Sequence, residues 1–272
     1  MAKVGETARQ ASAPRSVVAP HRPTLRAIEV MESLAGRPSG RTLTELSQDI
    51  SVPKSTLVPI LRTLRLRRHV SLDEGTGRYR VGVMALVVGS TFAAGAPLVP
   101  LLQEEMRQAV DECSETCQLA VLDGDCALYL AKVDSPEPIR MISSVGTRIP
   151  AYRTALGKAL LSDMGADEVR ELFPGPLERV APNTLASVDD LLANMEACRA
   201  RGVFRESEES TAGIACYALP LRREGRVVAA LSVTVPLFRL DAARERSVCE
   251  ALAAARERAE RVLARYPGEG IC

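Results

Sequence analysis

The chain has 272 residues and a mass of 29.3 kDa, enough for two domains at roughly 100–200 residues each. Hydrophobic residues make up 46%, charged residues 25% and aromatics only 3% with no Trp, a globular composition whose cores must be packed by Leu, Val, Ile, Ala and Met. The net charge of +1 excludes a wholly basic nucleic-acid binder and an acidic disordered chain, yet it hides a split: residues 1–83 carry 14 Lys and Arg against 7 Asp and Glu, net +7, and residues 84–272 carry 21 against 27, net −6. Such asymmetry predicts two modules with different partners, one suited to phosphates and one that DNA repels.

Met1–Pro20 is rich in Ala, Ser and Pro, reads as a flexible tail, and shows no apolar signal core. After Pro23, Leu25, Ile28, Met31 and Leu34 recur on one helical face, and Gly36 supplies a stop. Thr42-Leu43-Thr44-Glu45 matches a capping box opening a short helix that turns Leu43, Leu46 and Ile50 inward. A turn through Ser51-Val52 follows, and Pro53 is placed in the first turn of a third helix with Leu57, Ile60, Leu61 and Leu64 inward. Pro59 removes the hydrogen bond to the Ser55 carbonyl, so that helix is either bent there or starts late. Val70–Leu72, the turn Asp73–Gly77 and Tyr79–Val81 read as a two-stranded wing.

Two short helices joined by a tight turn, with a hairpin after them, form a winged helix-turn-helix over residues 21–83, whose later helix enters the major groove of double-stranded DNA. Lys54, Ser55, Thr56, Arg62, Arg65, Arg67 and Arg68, with Arg78 in the wing, are the candidate DNA contacts. Hydroxyls and helix-terminal N–H groups hold phosphates, and the cations add the salt-sensitive term.

From Val81 to Gln103 no residue is charged, but three Gly, two Pro, Ser90 and Thr91 dilute the run. A helix packed against a partner subunit, with residues 84–97 as linker, is the reading preferred to a membrane span. Residues 98–268 form the larger module. Leu98–Glu115 is helical, Leu119–Leu122 and Ala127–Val133 form a hairpin about Asp123-Gly124-Asp125, and Ile139–Ser143 is a third strand. Thr154–Met164, Ala166–Phe173 and Val188–Arg201 read as helices. Ile214–Leu221 and Val227–Val235 form a second hairpin, and Leu240–Arg265 a closing helix. The class is α+β around an antiparallel sheet.

Seven cysteines lack any Cys-x-x-Cys, and Cys113 and Cys117, four apart, read as buried thiols in a reducing cytoplasm. The only histidines are His21 and His69, so residues 70–272 can hold neither a His-based triad nor a His-ligated metal. No cofactor and no metal is expected.

Arg26-Ala-Ile, Pro53-Lys-Ser-Thr, Gly77-Arg-Tyr-Arg-Val-Gly82, Thr154-Ala-Leu-Gly-Lys-Ala-Leu-Leu161, Glu209 through Gly213-Ile-Ala-Cys-Tyr-Ala-Leu-Pro220 and the strand Val228–Val235 follow one another in order. Over roughly residues 22–266 this series resembles the IclR-type bacterial transcriptional regulators. The resemblance implies a winged helix-turn-helix, a dimerising linker helix, a GAF-like effector domain, and homodimers or dimers of dimers on palindromic operators. It implies a pocket at Gly157, Glu206, Cys216, Ser232 and Thr234, within motifs that also carry Leu156 and Ile214. Pro59 and Arg68-His69 depart from the family pattern, which has a polar or basic residue and Gly-Tyr there, and Glu206 stands where some relatives have Asp.

The residues themselves suit a small organic acid: aromatic acid, keto acid or sugar acid. Gly157 near a helix start exposes N–H groups, Ser232 and Thr234 share one strand face, and Arg153 could clamp a carboxylate. Ser232, Thr234, Cys216 and Arg153 could equally be strand-to-strand, core and ion-pair residues. The expectation is a cytoplasmic, effector-responsive DNA-binding regulator and not an enzyme. A metabolite-processing domain on a DNA-binding anchor would have to rest on Lys158, Glu206 and Cys216, and a pure protein-interaction module would leave the hydroxylated strand unexplained.

Overall fold

The structure is a computed structural model that describes residues 20–95, 97–141, 143–267 and 271; most of the expected N-terminal tail lies outside them. The chain forms two compact units, Met1–Gly89 and Ser90–Cys272.

The first unit opens with α1 (Arg22–Ala35), with Pro23 in its first turn, where a missing N–H costs nothing. After β1 (Arg41–Thr42), α2 (Leu43–Asp49) starts at the capping box: Glu45 N–H donates to Thr42 Oγ1 (3.2 Å) and Thr42 N–H to Glu45 Oε2 (2.7 Å). Helix α3 (Lys54–Leu66) begins one residue after Pro53, which is its N-cap and not a first-turn residue. Pro59 lies inside α3 and the helix runs on through it, so the late start is ruled out. Ser55 is exposed, leaving water free to serve its carbonyl. β2 (Val70–Asp73) and β3 (Arg78–Val81) pair as the wing, and the short β1 joins in the order β1-β3-β2. Val30, Leu34, Leu46, Val52, Leu57, Leu61 and Val70 form the core.

Between α3 and β2, Arg68 takes a left-handed φ of 60°. Its carbonyl accepts from Met84 N–H at 3.1 Å and lies so close to Gly82 that a Cβ there would stand 2.3 Å from it. At position 68 arginine bears the cost of a conformation that glycine adopts freely. Helix α4 (Val83–Gly95) follows, exposing Leu86, Val87, Val88 and Phe92.

In the second unit α5 (Leu98–Cys113) ends at Ser114, itself left-handed with φ 59°. Six antiparallel strands follow: β4 (Thr116–Asp123), β5 (Cys126–Val133), β6 (Arg148–Pro150), β7 (Phe204–Ser207), β8 (Ile214–Arg223) and β9 (Arg226–Pro236), in spatial order β6-β5-β4-β9-β8-β7. Strand alternation divides the sheet's residues between two cores. Cys117, Leu119, Val121, Leu231, Val233 and Val235 pack with α5 and α9 (Ala242–Arg265). Ala120, Tyr129, Ala218 and Ala230 pack with α6 (Ala155–Leu160), α7 (Ala166–Leu172) and α8 (Val188–Arg201).

Three expectations are corrected. The third strand is Arg148–Pro150, not Ile139–Ser143, whose described residues form no ladder and whose Ile142 lies outside the described residues. The helix expected over Thr154–Met164 is α-helical only over Ala155–Leu160, with Thr154 as its N-cap, and tightens into a 3-10 turn at Leu161–Asp163. Strand β7 was not anticipated: Phe-Arg-Glu-Ser has two charges and no β-branched residue, and its pairing with β8 makes it a strand.

Candidate functional site

Of the candidate DNA contacts on α3, Lys54, Ser55, Arg62 and Arg65 are exposed and Thr56 is half-buried, and Arg67 and Arg68 are exposed just beyond the helix. Arg65 Nη2 donates to Glu74 in the wing turn at 2.7 Å, tying helix to wing. Arg78 is committed elsewhere: its Nη1 donates to the Gly40 carbonyl (2.8 Å) and both amino groups reach Glu45 (3.1 and 3.2 Å). It clamps β3 onto the start of α2.

In the second unit a chain of buried polar groups crosses the sheet face that carries α6. Register places Gln118 on β4 opposite Ser232, Thr234 on β9 opposite Cys216, and Glu206 on β7 opposite Cys216 on its other side. Ser232 Oγ and Thr234 Oγ1 each donate to Gln118 Oε1 at 2.9 Å. Cys216 Sγ lies 3.2 Å from Thr234 Oγ1, and Glu206 faces Cys216 across the β7–β8 pair. Glu206 Oε2 accepts the Glu209 N–H at 3.0 Å. Burial is the largest influence on Glu206 and pushes its carboxyl up to about 6, while burial and the nearby Glu206 raise the Cys216 thiol well above its ordinary range.

Tyr129, Met141, Thr154, Leu156, Ser210, Thr211 and Ile214 complete the walls, and the space they enclose is about 10 Å³, at the lower limit for one water molecule. Of the sequence candidates, Leu156, Glu206, Ile214, Cys216, Ser232 and Thr234 come together here. Gln118, Met141 and Tyr129 were missed; the one signal was a polar Gln118 inside the apolar run Cys117–Val121.

Two candidates are corrected. Arg153 does not line the pocket: its Nη2 donates to Glu178 at 2.6 Å and its Nε to the Tyr152 hydroxyl at 2.9 Å. The Gly157 N–H is taken by the capping Thr154 Oγ1 at 2.9 Å, so it is no anion site. Glycine is required there because a Cβ would fall 2.1 Å from the Ala151 carbonyl oxygen. Lys158, a candidate of the catalytic reading, is fully buried beside the pocket. Its Nζ donates to both Glu209 oxygens (3.0 Å), Asn194 Oδ1 (2.9 Å) and the Arg205 carbonyl (2.8 Å), which uses every proton it has. Burial pushes the Glu209 carboxyl up against the pull of that ammonium. Among the described residues no group of His, Cys, Asp and Glu could hold a metal ion, and no helix is long and apolar enough to cross a membrane.

A basic helix-turn-helix and wing in one unit, and a polar chain inside a sheet-and-helix unit in the other, define a DNA-binding protein with a separate second module. Comparison with known proteins agrees. Residues 23–73 match the IclR helix-turn-helix domain, and residues 92–261 match the family described as "Bacterial transcriptional regulator IclR C-terminal". The chain belongs to the IclR family of DNA-binding transcriptional regulators.

It is 34% identical over 235 residues to the HTH-type transcriptional regulator BhcR of Paracoccus denitrificans (85% of this chain, 84% of that one). To the regulator KdgR of Escherichia coli it is 32% identical over 204 residues (74% and 78%). An IclR transcriptional regulator from Alicyclobacillus acidocaldarius shares the fold with a TM-score of 0.77 at 22% identity, covering 90% of this chain and 99% of that one. An IclR homologue from Microbacterium hydrocarbonoxydans, complexed with 4-hydroxybenzoate, gives 0.74 at 24% identity (89% and 98%). BhcR and KdgR are both HTH-type transcriptional regulators.

Proposed function

We propose that this regulator binds a palindromic operator as a homodimer or dimer of dimers in the cytoplasm, and that a small organic acid in the second unit modulates that binding. The observation that carries the reading is the buried polar chain Gln118–Ser232–Thr234–Cys216–Glu206. Hydroxyls, thiol and carboxyl placed in one sheet face, where apolar side chains would pack at lower cost, suit a polar ligand. The 4-hydroxybenzoate bound by a relative is an acid of this kind. Effector contacts fall to Leu156, Glu206, Ile214, Cys216, Ser232 and Thr234. DNA contacts fall to Lys54, Ser55, Thr56, Arg62, Arg65, Arg67 and Arg68, with dimerisation on the apolar, exposed side of α4.

A ligand can shift the operator equilibrium only through different affinities for two states, and a nearly closed pocket is one of them. The test is a thermal-shift screen of aromatic, keto and sugar acids, followed by anisotropy titration of DNA from its own promoter region over a salt series. The expected results are stabilisation by one acid class and a DNA affinity that falls steeply with salt. A flat salt response would remove the DNA surface assigned here, and stabilisation by no acid would remove the effector class.

A further inference from the structure

The pocket hydroxyls already have a partner, and it comes from the chain itself. Ser232 and Thr234 stand two apart on β9 and point to one face, and both donate to the same atom, Oε1 of Gln118, each at 2.9 Å. Gln118 is buried in β4, directly opposite Ser232 in register, and its amide nitrogen donates to Ser143 Oγ at 3.5 Å. A planar carbonyl oxygen accepting two converging hydroxyls is what a bound carboxylate or ketone would present at the same place. The pocket that Ser232 and Thr234 help to wall has a volume of only about 10 Å³, too small for an organic acid as it stands.

We propose that Gln118 is a built-in competitor: its side-chain carbonyl fills the acceptor slot of the pocket, and an effector binds by putting its own carbonyl or carboxylate oxygen there in exchange. This rests on the effector-pocket reading above and adds how that site is gated. The exchange leaves both hydroxyl donors with an acceptor, while the displaced Gln118 carbonyl gives up two donors and must find others. The effector's remaining contacts then decide the outcome, which raises the concentration at which the regulator responds and rejects ligands with no sp2 oxygen. Displacement also has a short route outward. Gln118 is two residues from Thr116, whose Oγ1 accepts the Ser135 N–H at 3.1 Å, and Glu115 beside it takes a bidentate pair from Arg239 (3.0 and 2.7 Å) directly after α5.

The experiment is chemical rescue. In full-length Gln118→Ala the slot is vacated and the hydroxyls lose their acceptor, so Tm should fall by about 5 °C. Acetamide, the severed end of the glutamine side chain, should restore most of that loss saturably in the millimolar range, while leaving the wild type unmoved at the same concentrations. Sodium acetate at constant ionic strength tests the charge. Rescue by both supports the competitor and a carboxylate-binding slot; rescue by acetamide alone supports the competitor and overturns the acid class of the effector. If Gln118→Ala does not fold, Gln118→Ser, whose polar slot can hold water, takes its place with the same expected rescue. Absence of saturable rescue by either compound, or equal stabilisation of the wild type, would overturn the proposal and leave the effector screen to stand or fall separately.

Discussion

The two units spend polar residues in opposite ways. In the first, the cations proposed to contact DNA are exposed on α3 and just beyond it, and the described core beneath is apolar. In the second, Gln118, Lys158, Glu206, Glu209, Ser232 and Thr234 are buried, and each is paired inside the unit. An exposed charge contributes little to stability and much to long-range attraction, whereas a buried one controls stability and local specificity. Substitutions should therefore separate cleanly: those in the head change DNA binding, and those in the sensor change folding and ligand response.

The largest effect is expected at Lys158. Lys158→Met leaves the Glu209 carboxylate buried without its cation and should cost about 3–5 kcal/mol in urea denaturation. A loss below about 1 kcal/mol would mean that Glu209 finds water or a proton at no cost, and the contrast between the units would weaken.

Glu206 gives the next effect through pH. Its carboxyl titrates at about 6 in the folded chain against an ordinary 4.5, because burial disfavours the anion. The folded state thus holds this proton more tightly than the unfolded one. The resulting stabilisation is complete below about pH 4.5 and is lost as pH rises through 6, about 2 kcal/mol in all. Glu206→Gln cannot lose it, so the variant should gain on the wild type between those values and run parallel above. Curves parallel throughout would contradict the burial argument.

Three head substitutions sharpen the other side. Arg68→Gly relieves a left-handed residue and should raise stability by about 1 kcal/mol, measured by denaturation; no gain would mean that the arginine side chain offsets its backbone cost. Arg62→Ala should weaken DNA binding uniformly across sequences and reduce the salt slope by about 1, with no change in Tm. Arg78→Ala, already held by Glu45 and Gly40, should leave that slope unchanged. A slope lowered equally by both would place Arg78 on phosphate after all.

The same contrast explains what could be read without coordinates. The head was legible because its signals are local: a capping box, the helical spacing of Leu57 and Leu61, and a glycine-rich wing turn each lie within a few residues. Pro59 was ambiguous because continuity of a helix through proline depends on what surrounds it. The sensor's hairpins and closing helix were legible for the same local reason, but its site is made by pairing across more than a hundred residues. Ser232 and Thr234 could be placed on one face, whereas their acceptor Gln118 is set by strand register that no local pattern reveals. Arg153 and Gly157 misled because charge and helix position were judged without their partners, Glu178 and Thr154, which use up the groups in question.

The central claim is that the buried polar chain governs what the exposed basic helix does. It is tested by anisotropy titration of promoter DNA with and without the acid that stabilises the wild type, comparing wild type with Ser232→Ala/Thr234→Val. The wild type should change its DNA affinity when the acid is added, and the variant should bind DNA equally well with or without it. A variant that still responds as the wild type does would contradict the claim.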